Sequence, residues 1–155
     1  MSPTISDLIT PALVTVDLTA TDRRAAIDEL AQLLEADGRV SDRATYVDAV
    51  WAREEETGGT GMESGVAIPH AKAAAVTRAG IAFGRSAGGV DFGAEDDTPS
   101  DLVFLIAAPE GADDLHVRVL SRIARKLIHE SFRTSLREAD SPQAVVDIIQ
   151  REVEL

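Results

Sequence analysis

No cysteine occurs among the 155 residues. That excludes disulfide frameworks, thiolate zinc sites and cysteine nucleophiles together. Aromatic residues make up only 4%, too few for platforms that stack bases or sugar rings. There are three histidines, His70, His116 and His129. Neither His-Glu-x-x-His nor Gly-x4-Gly-Lys-Ser/Thr is present, which removes the helical zinc motif and the Walker-type nucleotide loop. Positive charge is also scarce: 15 Lys and Arg stand against 27 Asp and Glu, a net charge of −12. Nucleic acids and anionic membranes are held by clustered cations, so neither is an expected partner. A basic protein partner is compatible with this charge. No apolar run approaches the roughly 18 residues of a membrane span. The longest, Leu102 to Pro109, has the length of a buried strand. No basic stretch leads into an apolar one at the N-terminus, so no secretory signal is expected. The expectation is a soluble cytoplasmic protein.

At 45% apolar residues, the chain can bury a real core, about 70% of its unfolded surface at this length. One domain is expected over 1–155, with its core at about 5–153. Strand-like and helix-like segments alternate, which predicts an α/β fold. Leu13 to Leu18 alternates and reads as a strand. Thr21 or Asp22 can cap a helix to about Ala36, with the stripe Ile27, Leu30, Leu34 and Gly38 past its end. Ser41 is the expected cap of a second helix, with Tyr46, Val47, Val50 and Trp51 on one side. Ala79 to Phe83 reads as a strand, Gly88-Gly89 as a turn, and Leu102 to Ala107 as a central strand. Asp113 or Asp114 would cap a helix to about His129. Ser131 to Arg137 reads as a short helix. Ser141-Pro142 opens the last one.

Four glycines between Gly58 and Gly65 predict a loop rather than a helix. Val66-Ala67-Ile68-Pro69-His70 follows it. A proline before a histidine presents the ring in a fixed direction, and the loop could bring backbone N–H groups to a bound anion. His116 falls on the apolar stripe of its helix with Leu120, Ile123 and Leu127, so a core histidine is the competing reading. Arg118, Arg122 and Arg125 fall on the solvated side. His116 and His129 differ by about 220° of helical rotation, so they cannot share a metal. Arg53 lies in the last turn of the second helix, where a cation also suits the helix dipole. Glu54-Glu55-Glu56 reads as a solvated acidic helix end. A nucleophilic imidazole, an arginine fork, a second histidine near a helix N-terminus and backbone donors together suit phosphate.

The stretch Gly65-Val66-Ala67-Ile68-Pro69-His70-Ala71-Lys72 resembles the phosphorylation-site motif of fructose/mannitol-type EIIA domains. These belong to the bacterial phosphoenolpyruvate-dependent sugar phosphotransferase system. The resemblance runs through nearly the whole chain. Ala26 to Leu34 is similar to the family's first helix, and Arg53-Glu54 with Thr60-Gly61 to its Arg-Glu…Thr-Gly signature. Val90 to Ala94, Leu102 to Pro109, and His116 with Leu120 to Ala124 are similar to its later segments. The resemblance implies a single phosphocarrier domain, a mixed central sheet with helices on both faces. It implies that His70 is phosphorylated at Nε2 by the histidine phosphocarrier HPr and passes the group to a cysteine of an EIIB partner. A membrane EIIC component would be involved only indirectly. It further implies that His116 hydrogen-bonds the phosphoryl group, that Arg53 offsets its charge, and that Thr60, Gly61 and Gly65 form the phosphate loop. No metal or other cofactor is implied, because the donor is already a phosphohistidine. The alternative is a nitrogen-type regulatory EIIA that binds partners according to phosphorylation state. Arg53 lies one residue further from His70 than the family spacing, which implies a loop insertion. Glu63 stands where a small residue is usual and is expected to point away. Glu95-Asp96-Asp97 is unusually acidic for a turn.

Overall fold

The computed structural model describes residues 4–111 and 114–155. The possible cap Asp113 lies outside them. The chain begins with a one-turn helix α1 (Ile5–Leu8), a 3-10 turn (Pro11–Leu13) and a strand β1 of only Val14–Thr15. The strand expected over Leu13 to Leu18 is shorter because the turn takes Leu13 and the chain leaves the sheet after Thr15. Helix α2 (Arg23–Ala36) is capped by Asp22, whose side chain accepts from the Ala25 amide. Helix α3 (Arg43–Thr57) is capped by Asp42 rather than Ser41, accepting from the Thr45 amide. Ser41 instead donates its hydroxyl to the Ala75 carbonyl.

The remaining strands are β2 (Gly61–Met62), β3 (Val66–Ala67), β4 (His70–Ala73), β5 (Gly80–Val90) and β6 (Ser100–Pro109). Their order is β1-β5-β6-β3-β2, with β4 also on β6. Strand β6 is the centre: β5 runs antiparallel to it, β3 and β4 parallel. This is the mixed sheet expected. Residues 102–108 of β6 are all buried, as an apolar strand covered on both faces must be. The Gly88-Gly89 turn is not a separate reversal. It lies inside β5, where pairing to β6 slips between Arg85 and Val90.

Neighbouring residues of a strand point to opposite faces. A Cβ on Gly84 would come within 2.9 Å of Leu30, so this face carries α2. Arg85, on the other face, donates to the carbonyls of Leu136, Arg137 and Ala139 at the end of α5. Helices α4 (Leu115–Leu127), α5 (Glu130–Glu138) and α6 (Pro142–Glu152) complete the chain. Helix α4 stops short of His129, which becomes the N-cap residue of α5. Arg133 supplies the reason, donating to the free carbonyls of Leu127 and Ile128. Ser141 caps α6 through the Ala144 amide with Pro142 in the first turn. Among the described residues no helix is long and apolar enough to cross a membrane.

Candidate functional site

Strands β3 and β4 both pair with β6, separated by Ile68-Pro69. Pro69 has no N–H to donate, and its carbonyl accepts from the Ile106 amide at 3.0 Å. His70 therefore opens β4 directly opposite Ile106. Behind this point the buried Tyr46 hydroxyl donates to the Ile106 carbonyl at 2.9 Å. The strand end that carries His70 is thus pinned from α3.

The His70 ring is half-buried, and its Nδ1 lies 2.7 Å from the Ile68 carbonyl oxygen. A carbonyl can only accept, so Nδ1 carries the proton and Nε2 keeps its lone pair. Burial holds the imidazole below its ordinary pKa, and the Arg53 charge pushes the same way against the Ile68 bond. His70 is therefore a neutral imidazole with a nucleophilic Nε2 near pH 7.

His116, in the first turn of α4, is only 7% exposed. Its ring centroid lies 5.1 Å from that of His70, at a tilt of 50°. Burial, then the charges of His70, Arg53 and Lys72, lower its pKa to about 4. Its Nδ1 is buried with no hydrogen-bond partner among the described residues. Such a nitrogen has lost its water without gaining a partner, a cost of about 1–3 kcal/mol. The core-histidine reading holds for burial but not for satisfaction.

Arg53 is exposed at the end of α3. Its guanidinium forms no ion pair among the described residues, yet its charge depresses both histidines. Lys72 is the cation that sequence reasoning quoted without assigning. It lies two residues along β4 from His70, so it shares that face, and it bears on His116. The period-2 rule applied to His-Ala-Lys would have found it.

Glu54 overturns its expected place. It is 1% exposed, while Glu55 and Glu56 are exposed as a solvated helix end should be. Its Oε1 accepts from the Thr60 amide at 3.3 Å and lies 3.6 Å from Arg23. Burial raises its pKa, against the pull of Thr60 and Arg23. Thr60 in turn accepts from the Ile68 amide at 3.3 Å. A relay of hydrogen bonds therefore runs from Glu54 through Thr60 and Ile68 to His70. Gly59 makes the turn possible: its φ is +126°, and a Cβ there would lie 2.0 Å from the Phe92 carbonyl oxygen.

The expected phosphate loop is only partly at the site. Thr60 is beside Ile68, but its amide is taken by Glu54. The Gly61 amide donates to Phe92. Gly65 adjoins Val66, which pairs with Leu102, four residues along β6 from the partner of His70. At about 3.3 Å per residue that is roughly 13 Å away. There Gly65 accepts from the Asp101 and Leu102 amides. The Thr60 and Gly61 amides serve the fold instead of facing an anion. Glu63 is exposed. The acidic turn is put to use: Asp96 accepts from the Ser64 and Thr98 amides.

A neutral strand-borne histidine beside a second imidazole, with an arginine and a lysine within electrostatic reach, defines a site suited to taking and releasing an anionic group. The chain belongs to the EIIA 2 family of the phosphoenolpyruvate-dependent sugar phosphotransferase system, which it matches over residues 7–152. Domains of this family transfer phosphoryl groups. The chain is 41% identical over 147 residues to the fructose-specific EIIABC component of Bacillus subtilis, covering 95% of this chain and 23% of that protein. It is 41% identical over 155 residues to the fructose-specific EIIA component of Haloferax volcanii, covering 99% of this chain and 100% of that one. A nitrogen regulatory protein of Bradyrhizobium diazoefficiens is 35% identical over 94% of each chain. Among solved structures, nitrogen regulatory protein IIA-Ntr of Neisseria meningitidis superposes with a TM-score of 0.83 at 33% identity, covering 93% of this chain and 97% of that one. Mannitol enzyme IIA of Escherichia coli, solved in complex with phosphorylated enzyme IIB, gives 0.76 at 26% identity, covering 91% and 96%.

Proposed function

We propose that this chain is a histidine phosphocarrier of fructose type, taking a phosphoryl group from phospho-HPr onto His70 Nε2 and passing it to a cysteine of an EIIB partner. The observation that carries this is the His70 Nδ1 contact to Ile68, because it leaves Nε2 as the free nucleophile. In the forward step the donor's P–N bond breaks and its electron pair returns to the donor imidazole. The new bond forms at Nε2. Nδ1 keeps its proton on Ile68, so no base is required. His116 donates a hydrogen bond to the transferred group, and Arg53 and Lys72 offset its charge. Positioning and charge carry phosphoryl transfer in general. The acceptor must lie on another polypeptide segment, since the chain has no cysteine. The fructose assignment is favoured by 41% identity to two fructose-specific proteins.

A second reading has its own support. The likeness to nitrogen regulatory proteins, 35% in sequence and a TM-score of 0.83 in structure, favours a regulator that binds targets by phosphorylation state. Both readings use His70.

Incubation with phosphoenolpyruvate, Enzyme I and HPr, followed by intact mass and peptide mapping under non-acidic conditions, tests the shared step. One acid-labile phosphoryl group on His70 is expected, and none in His70→Ala, which should fold normally because the ring is half-buried at a strand end. Persistent labelling of that variant overturns the site. Transfer onward to an EIIB cysteine favours sugar uptake; labelling with no EIIB acceptor favours regulation.

A further inference from the structure

Most Lys and Arg side chains of this acidic chain are tied to a carboxylate or to backbone carbonyls. Among the described residues only Arg53, Lys72, Arg118, Arg122 and Arg125 have neither an ion pair nor a side-chain hydrogen bond. Arg53 and Lys72 belong to the candidate site already described. Arg122 and Arg125 line a depression of about 360 Å³ between the ends of α4 and α6, together with Lys126, His129 and Arg151. Neither His70 nor His116 lines it. Arg125 is nine residues along α4 from His116, about 14 Å at 1.5 Å per residue.

Arg122, Arg125 and Lys126 are spaced three and four residues apart, so they share one face of α4, and like charges so placed destabilise a helix. A cation near a helix C-terminus is favoured by the dipole, and Arg125 and Lys126 fall in the last turn. That accounts for neither Arg122, a turn earlier, nor the absence of bonds to the helix end: the carbonyls of Leu127 and Ile128 are taken by Arg133. An anion from outside the chain would relieve the repulsion.

The acids of the depression narrow the choice of anion. Glu152 lies 3.7 Å from Lys126 and 3.6 Å from Arg151, so these three offset one another. Glu154 also lines the depression, is exposed and has no ion pair among the described residues. Two open guanidinium forks and one open carboxylate remain. The forks match a phosphate. The carboxylate accepts hydrogen bonds only, so it matches hydroxyl groups. A polycarboxylate would suit the arginines but set charge against Glu154. Val153 is the only apolar residue of the lining and no aromatic residue joins it, which leaves nothing for an acyl chain or a nucleobase. The volume is near the small end of ligand pockets, about 300–1,000 Å³. A nucleic acid or an anionic membrane would extend past it over a chain of net charge −12.

We propose that this depression binds a small phosphorylated sugar, with the phosphate on Arg122 and Arg125 and a sugar hydroxyl donating to Glu154. The site itself stands on this geometry. That it senses the sugar phosphate produced by coupled uptake rests on the phosphocarrier reading.

The test is isothermal titration calorimetry of the full chain with fructose 1-phosphate, inorganic phosphate, citrate and fructose, at low and high salt. Fructose 1-phosphate should bind saturably, and less tightly at high salt. Inorganic phosphate and citrate should bind about tenfold less tightly, and fructose should give no heat. Arg122→Gln with Arg125→Gln should weaken the fructose 1-phosphate Kd about tenfold or more, the cost of lost charged hydrogen bonds. Glu154→Ala should erase most of the advantage over inorganic phosphate. All three positions are exposed, and circular dichroism checks that each variant folds. No saturable binding by the parent overturns the proposal, as does parental affinity in the arginine variant. Equal affinity for inorganic phosphate or citrate overturns the sugar phosphate as ligand. Binding that Lys72→Gln abolishes and the arginine variant keeps places the ligand at the histidines and also overturns it. Labelling of His70 through phosphoenolpyruvate, Enzyme I and HPr is run alongside. Labelled protein that binds no sugar phosphate sinks this site alone. Unlabelled protein that binds it sinks the phosphocarrier reading and leaves the site standing.

Discussion

A histidine that attacks phosphorus must be neutral, and burial keeps His70 and His116 that way. The same burial makes the pair a liability in acid. An unfolded histidine binds its proton near pH 6.5. Folded His116 does so only at about 4. Between those values the unfolded chain holds more protons, so stability falls as pH falls. At about 1.36 kcal/mol per unit, His116 alone costs up to about 3 kcal/mol by pH 4, and nothing above pH 6.5. His116→Gln cannot titrate, so its stability should decline less steeply than the parent's across pH 6.5 to 4 in urea unfolding. Parallel curves would show that His116 does not hold off its proton. The same variant should slow transfer, since the amide offers weaker help to a phosphoryl dianion. Phosphorylation of His70 should raise the pKa of His116, and the phosphorylated protein should lose less stability in this range.

At the scale of elements, the end of α3 and the loop behind it set the site. Glu54 and Arg53 are adjacent, so a helix that buries one turns the other about 100° away, into solvent. Glu54→Ala would leave the Thr60 amide without its acceptor and release the first link to Ile68. A loss of about 2–3 kcal/mol is expected, as for hydrogen bonds to charged groups, together with slower labelling of His70. Glu54→Gln keeps an acceptor and should recover most of both. If Ala at 54 unfolds no earlier in urea than the parent, the relay does not hold the loop. Nothing local in Glu54-Glu55-Glu56 distinguished the buried acid from its neighbours. What selects it is Arg23 on α2, remote in sequence, and Thr60, which the loop brings back just beyond the helix end. The stops and starts that were legible had a local cause: Asp22 ahead of α2, Ser141-Pro142 ahead of α6. Those that were not legible depended on partners. Strand β5 runs through Gly88-Gly89 because β6 lies beside it. Helix α4 stops before His129 because Arg133 takes its last carbonyls. The motif around His70 was readable because its parts are contiguous and Pro69 fixes the approach; Gly65, in the same run, proved to serve a different part of the sheet.

For the whole molecule the governing number is the net charge of −12. Its basic residues are unevenly placed, with four of the 15 on α4. Several others are spent on structure: Arg39 is buried against Asp37 and the carbonyls of Asp7 and Ala79, and Arg137 is paired with Asp101. The carboxylates that remain in excess repel one another across the surface, and the compact state feels this more than the expanded chain. Salt shortens the reach of that repulsion, from about 10 Å at 0.1 M to about 3 Å at 1 M. The midpoint of thermal unfolding should therefore rise as sodium chloride goes from about 0.05 M to 1 M, and level off once the screening length is shorter than typical charge spacings. Exposed ion pairs such as Arg24–Asp48 weaken under the same screening, but each contributes well under about 1 kcal/mol, so the rise should win. Arg122→Glu with Arg125→Glu takes the charge to −16 and should steepen it further. A midpoint that falls with salt would mean that the surface is held together by its ion pairs rather than strained by its surplus acids. Scanning calorimetry across the salt series, with potassium chloride as the control for ion-specific effects, separates the two.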